Sequence, residues 1–355
     1  MLNLRIIDNM KRLLEMIFVA VLMAQAASAQ SVSSVQERLD SIVSFDYVSG
    51  KAKKQEYGYD TAGRVNQVLY FQQEEGVWQP TNKREYFCDE EGNDTLRLIS
   101  ILQGGEWLIV ERKSQIPQSN HRVTTFTTSY VKGRMLNSFQ TERVYGDDKQ
   151  VHSETFYALQ DSLFKTQIVN EFFYGTDRKL SWVKSTDMMD NRHPRVSTTR
   201  YAYDPVGHVI SQTDSVFAGV SAKECLRKEY TYEQGALRMS VTTMTFVDGG
   251  GQVKHEYIYD RHQNLLCIQA YQMKEKAWRH TGSVSFIYDM NSLKSAVGGA
   301  SHEANLLDSH YEEELKSSPH KLLSITVYGA DGHKEKETFF FYGRNRGTVD
   351  GHDSM

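Results

Sequence analysis

Five aspartates share one local setting and are the first residues to weigh for chemistry. Asp60, Asp89, Asp204, Asp260 and Asp289 each close a short stretch of the form aromatic-x-Tyr, with Cys88 in place of the tyrosine before Asp89. Grouped carboxylates can serve as acid and base or as oxygen ligands for calcium. A catalytic pair needs two carboxylates in unlike surroundings, whereas a repeat gives every copy the same surroundings. Turn formation is therefore the expected role, with calcium at a sheet rim as the remaining alternative.

Other candidate centres are weaker. His302 and His310, with Glu303 and Asp308, come nearest to a metal set among the 12 histidines. Their spacing does not bring two imidazoles together on one helical turn, as a zinc site asks. H-E-x-x-H, G-x-S-x-G and the phosphate-cradling G-x-x-x-x-G-K-[ST] are absent, and Gly249-Gly250-Gly251 reads as a loose hairpin turn. Cys88, Cys225 and Cys267 are odd in number and lack C-x-x-C spacing, and Cys267 lies in the apolar run Leu265-Leu266-Cys267-Ile268. That is the setting of a small buried hydrophobe. No catalytic, metal or cofactor-binding residue is expected, and the chain is not expected to be an enzyme.

The tyrosines are more informative. Tyr57, Tyr59, Tyr201, Tyr203, Tyr230, Tyr232, Tyr257 and Tyr259 occupy fixed places in successive copies and should form stripes across a sheet. Cross-strand aromatic pairs stabilise sheets by roughly 0.2–1 kcal/mol each, so a structural ladder explains them without a ligand. A binding face for glycans or peptides is the second reading, because tyrosine offers an apolar body with a polar tip.

The elements that must position these residues follow from the spacing. The first aromatics fall at Tyr57, Tyr86, Tyr201, Tyr230, Tyr257 and Phe286, mostly 29 residues apart. Weaker copies fill the long gap at Tyr145-Gly146-Asp147 and Phe172-Phe173-Tyr174, and the copy expected near 115 is missing. In Asp60-Thr61-Ala62-Gly63, Asp89-Glu90-Glu91-Gly92 and Asp204-Pro205-Val206-Gly207 the aspartate opens a type I turn. Gly63, Gly92 and Gly207 close it in the left-handed region. A second turn recurs before Trp78, Trp107 and Trp278. Residues alternate on either side, as half-buried strands do. Each period is thus two antiparallel strands of roughly ten residues, and the chain has room for about twenty strands. The expected fold is all-β, an antiparallel hairpin repeat forming a long, curved meander sheet, open or barrel-like.

Tyr57-Gly58-Tyr59-Asp60-Thr61-Ala62-Gly63-Arg64 resembles the unit of YD-repeat proteins, Y-x-Y-D-x-x-G-R, and Tyr201 to His208 departs only in its last residue. With the preceding tryptophan hairpin, the pattern is similar to secreted YD-like proteins of unknown function from Gram-negative bacteria, some described as having porin-like sheets. The resemblance covers roughly residues 40–345 and implies architecture rather than chemistry. Large YD-repeat toxins wind such hairpins into a shell around a cargo, which takes many more copies than are present here.

Lys11 and Arg12, the apolar run Leu13 to Ala24 and the small residues Ala27-Ser28-Ala29 have the order of a secretory signal, so residues 1–29 are expected to be removed. Residues 30–345 form the repeat domain. Residues 298–320 break its rhythm and permit a helix or a long loop, and 346–355 are expected to be a disordered tail. With 41 Lys+Arg against 45 Asp+Glu, no nucleic-acid partner is indicated. An exported binding or structural module at the cell surface, in the periplasm or outside the cell is the leading expectation, with a glycan or a protein as partner. An outer-membrane β-barrel is the alternative, and a secreted hydrolase the second alternative. Arg195 to Arg200 puts charge and hydroxyl where a lipid-facing band should be, and the sequence ends on a polar tail.

Overall fold

A computed structural model of the chain describes residues 37–119, 121–190, 193–218, 221–244, 251–293, 297–298 and 318–344. The expected leader, the tail, Gly249 and Gly250, His302 and His310 and most of 298–320 lie outside the described residues. Every regular element among those described is a β-strand, most of them nine to fourteen residues long. Each strand pairs antiparallel with the next from Lys51–Tyr59 to Ala277–Leu293, and pairing then passes to His320–Gly329 and Lys334–Arg344. The first strand, Glu37–Asp46, pairs with Lys51–Tyr59 on one side and Lys334–Arg344 on the other. Twenty antiparallel strands therefore close into a barrel. Closure satisfies the backbone groups that an open sheet would leave bare at its edges.

The turns at one end carry out what the aspartates announce. Asp60 N–H donates to the Arg64 carbonyl at 2.8 Å and Gly63 N–H to the Asp60 carbonyl at 3.0 Å, while Asp60 Oδ1 accepts the Arg64 N–H at 2.8 Å. Asp89, Asp204 and Asp260 repeat this pattern toward Asn93, His208 and Asn264. Gly63, Gly92 and Gly207 have φ of 82°, 89° and 112°, the left-handed region that glycine enters without steric cost. Gln263 holds the equivalent place in the Asp260 turn at φ 68°.

A second solution appears where the motif fades. Gly146 and Gly175 at this end, and Gly329 at the other, open turns of the same backbone pattern, and the carboxylate comes two residues later. Asp148, Asp177 and Asp331 accept the N–H of Gln150, Lys179 and His333 at 3.0–3.2 Å. One local need, an acceptor for the fifth residue's N–H, is thus met from either of two positions.

Asp289 departs from expectation. It lies inside the strand Ala277–Leu293 and not at a hairpin tip. Its carboxylate accepts the Asn291 N–H at 3.1 Å and the Ser292 hydroxyl at 2.9 Å, and pairs with Lys321 at 3.3 Å. Ser292 stands where the Asp60, Asp89 and Asp204 copies have the turn glycine, and the partner strand begins only at His320.

At the opposite end, two-residue turns have both central residues at positive φ. Glu75 and Gly76 lie at 50° and 83°, Gly104 and Gly105 at 61° and 85°, and Glu275 and Lys276 at 53° and 64°. This left-handed pair matches the right-handed twist of the flanking strands.

Register divides the sheet into two faces. Tyr57 lies opposite Val68 and Tyr59 opposite Val65, whereas Lys54 lies opposite Phe71 and Glu56 opposite Leu69. Directly opposed residues share a face, so one may be called the tyrosine face and the other the lysine face. A core cluster including Leu39, Ile42, Tyr57, Val68, Tyr257, Leu265, Ile268, Phe286 and Ile325 lies on the tyrosine face, across the strands flanking the closure. Phe340 joins it from the last strand, which carries Phe339-Phe340-Phe341-Tyr342.

Candidate functional site

The tyrosine stripe is built into the sheet. Tyr57 and Tyr257 are buried, and Tyr59, Tyr230, Tyr232 and Tyr259 pack half-buried against the core. Burial pushes the hydroxyls of Tyr57, Tyr201 and Tyr203 up from the ordinary tyrosine value. The second tyrosine of the motif spends its hydroxyl on the preceding hairpin. Tyr203 donates to Leu180 O at 2.8 Å, Tyr232 to Val209 O at 3.1 Å and Tyr59 to Leu39 O at 2.5 Å.

A cation or imidazole from the preceding hairpin covers the same rings. Lys179 sits 5.3 Å from the Tyr203 ring centre, Arg238 5.1 Å from Tyr259 and Arg38 5.2 Å from Tyr59, and His208 stacks on Tyr232 at 4.6 Å. The stripe therefore joins one hairpin to the next.

The lysine face presents a different, repeated constellation. Lys54 lies 4.6 Å from the Phe71 ring centre and 5.4 Å from that of Trp78, with Glu56 at 2.7 Å. Lys254 lies 4.4 Å from Tyr271 and 5.4 Å from Trp278, with Glu256 at 2.6 Å. Lys83 lies 5.3 Å from Trp107, with Glu85 at 3.1 Å. A fourth site has the same ingredients in other positions, where Phe173 stacks on Trp182 at 3.8 Å beside the Lys184–Glu171 pair at 2.7 Å. Lys54, Lys83 and Lys254 are only 16–19% exposed, while Glu56 and Glu256 are 44% and 38% exposed.

Three strands build each of the first three clusters. Lysine and glutamate stand two apart on one strand and so share a face, and the tryptophan arrives two strands later. The ammonium is held by the ring quadrupoles and the carboxylate together, leaving half-buried indole and partly exposed carboxylate toward solvent. Such a surface offers apolar stacking beside hydrogen-bond acceptors. The signal was present in the sequence: Lys54-Gln55-Glu56-Tyr57, Lys83-Arg84-Glu85-Tyr86 and Lys254-His255-Glu256-Tyr257 share one spacing, and the tryptophan follows at a constant distance. Attention to the tyrosines hides it.

Charge is not confined to the lysine face. Arg84 lies opposite Val68 and Arg97 opposite Tyr86, so both belong to the tyrosine face. Arg97 pairs there with Glu111 at 3.1 Å, and Arg143 with Glu154. On the lysine face Arg112 lies opposite Leu98, and Glu171 opposite Lys184.

Among the described residues no group of three or more His, Cys, Asp or Glu is placed to hold a metal ion. Cys88, Cys225 and Cys267 are free and partly exposed, rather than fully buried as the apolar run around Cys267 implies.

No family model matches the sequence, and no curated protein matches it. Among solved structures, TcdB2-TccC3-Cdc42 is similar over 83% of this chain at 14% identity and a TM-score of 0.31. The chain spans only 19% of that protein. A porin-like protein from Bacteroides uniformis is similar over 86% of this chain and 96% of its own, at 11% identity and a TM-score of 0.34. Both are too distant to transfer a role.

Proposed function

We propose that the chain is an exported, non-enzymatic repeat barrel that works in water as a binding or structural module of the cell envelope. Its lysine face is the ligand-bearing surface. The observation that carries this reading is the distribution of charge: mid-strand ion pairs occupy both faces of the closed sheet. A lipid-facing barrel surface needs an apolar outer band, and one Lys or Arg at mid-depth costs about 2–4 kcal/mol there. Arg84, Arg97 and Arg143 burden one face and Lys54, Lys83, Lys184 and Lys254 the other, so neither face meets that need cheaply. The likeness of residues 57–64 to a YD-repeat unit and the signal-like leader belong to the same reading.

An outer-membrane barrel is the second reading, favoured by closure of an even number of antiparallel strands. Envelope fractionation separates the two. The proposed protein is released from membranes by alkaline carbonate or high salt, and retention in the pellet until detergent is added decides for the membrane barrel.

A further inference from the structure

Two clefts open at the aspartate-turn end of the sheet, of about 490 Å³ and 410 Å³. They occupy the same place in the repeat. A shift of 86 positions along the chain, close to three periods, carries Glu85 to Glu171 and Phe87 to Phe173, and it carries Arg64, Asn66 and Gln67 to Gln150, His152 and Ser153. The backbone explains the match, because Gln67 lies opposite Glu85 as Ser153 lies opposite Glu171. Recurrence of a cleft at one repeat position, with glutamate and phenylalanine retained, is what a polymeric ligand with its own repeat would meet.

The lining specifies the chemistry. Each cleft sets a flat ring two residues beyond a carboxylate. Phe87 is 45% exposed, and Phe173 is held flat against Trp182 at an interplanar angle of 3°. The glutamates are already neutralised, Glu85 by Lys83 at 3.1 Å and Glu171 by Lys184 at 2.7 Å, so they offer acceptor oxygens without drawing in a cation. Amide, hydroxyl and imidazole groups from Asn66 and Gln67, or His152 and Ser153, complete the walls. A ring for C–H faces beside amide, hydroxyl and imidazole donors and compensated acceptors suits a pyranose. Each wall also sets one aspartate against one arginine, Asp60 paired with Arg64 at 2.7 Å and Asp148 in the same cleft as Arg178, so the charges balance and favour a neutral ligand over a uronic acid or a phosphate. The volumes fall within the range of about 300–1,000 Å³ common for small-ligand sites.

We infer that the chain carries two equivalent subsites for a neutral hexose-based oligosaccharide, one at Glu85 and Phe87 and one at Glu171 and Phe173. The inference rests on the reading of a water-exposed binding module and names its ligand class. Two subsites on one barrel raise the avidity for a long glycan without new contacts.

The test is calorimetric titration of the full chain with maltohexaose, cellohexaose, chitohexaose and mannohexaose, and with hexagalacturonate as the acidic comparison. At least one neutral hexasaccharide is expected to bind with two sites per chain. Phe87→Ala and Phe173→Ala each remove one site, shown by loss of half the stoichiometry or by at least tenfold weaker affinity there, and the double variant binds none. Circular dichroism matching the parent establishes that each variant is folded. Three results overturn the inference: no heat with any neutral hexasaccharide, binding indifferent to both phenylalanines, or tighter binding of hexagalacturonate. A protein extracted by carbonate that binds no neutral hexasaccharide sinks this inference alone, whereas retention in the membrane pellet sinks the reading beneath it.

Discussion

The Tyr288 hydroxyl donates to the carbonyl oxygen of Leu265, twenty-three positions earlier, at 2.9 Å. The same interval links Tyr174 to Val151 at 2.8 Å, Tyr203 to Leu180 and Tyr232 to Val209. At the closure the interval shortens to twenty, where Tyr342 donates to Leu322 at 2.8 Å. The second tyrosine of these copies is therefore a clasp between one hairpin and the strand before it.

Removing a clasp should cost stability according to its burial. Tyr203→Phe loses one half-buried bond and is expected to cost about 0.5–1.5 kcal/mol. Tyr288 is buried and also meets Ser318 Oγ at 3.2 Å, so Tyr288→Phe leaves buried polar partners behind and should cost about 1–3 kcal/mol. Urea unfolding of the two variants checks the order, and equal midpoints would show that the hydroxyls do not join the hairpins.

The left-handed turn position should respond with opposite signs at two copies. A Cβ on Gly63 would lie 2.8 Å from Arg38 Nη2, at φ 82°. Gly63→Ala is therefore expected to destabilise by about 1–2 kcal/mol. Gln263 already bears the left-handed conformation at φ 68°. Gln263→Gly should relieve that strain, less the extra freedom glycine adds to the unfolded chain, for a net gain below about 1 kcal/mol. Thermal melts of the two variants should move in opposite directions.

Acid should act through the turns. The His208 side chain and the backbone N–H groups of His208 and Gly207 hold the Asp204 carboxyl down to about 2, below its ordinary 3.8. The Asn93 side chain, with backbone donors, likewise lowers Asp89. A folded-state value below the unfolded one means that the turn's contribution is complete above about pH 4 and is lost as pH falls from there toward 2. Asp204→Asn should flatten the fall of the urea midpoint within that window. A variant whose midpoint falls as steeply as the parent's would assign acid sensitivity elsewhere.

The lysine clusters should divide by salt. In double-mutant cycles, the coupling of Lys254 to Glu256 is expected at or below about 1 kcal/mol and should shrink in 1 M sodium chloride. Coupling of Lys254 to Trp278, a contact between a cation and a ring, should be about 0.5–1 kcal/mol and persist in salt. Equal loss of both couplings would mean that the tryptophan contributes by area alone.

Legibility differed by residue. The turns at Asp60, Asp89 and Asp204 could be read directly, because aspartate, a turn of fixed length and glycine act within five residues. Gly146 and Gly175 could be read only as weak copies, since their carboxylates come from Asp148 and Asp177, out of phase with the motif. Asp289 misled because its local sequence matches the motif up to the aspartate, while the reversing glycine is lacking. The tyrosine stripe was legible as a ladder, yet nothing local told that each hydroxyl would reach a carbonyl on the neighbouring strand, some twenty positions earlier.

What the sequence determined by itself was local: where the chain reverses, the alternation of the strands and the approximate strand number. Turn chemistry and period-two patterning act over a few residues, so a linear reading captures them. Tertiary structure alone decided that Glu37–Asp46 meets Lys334–Arg344 and closes the barrel, and that the tyrosine face buries its side chains near that closure. It also decided that Lys54, Lys83 and Lys254 find aromatic partners two strands on. Those outcomes depend on pairing between distant strands and on the curvature that follows from it, which no short stretch of residues encodes.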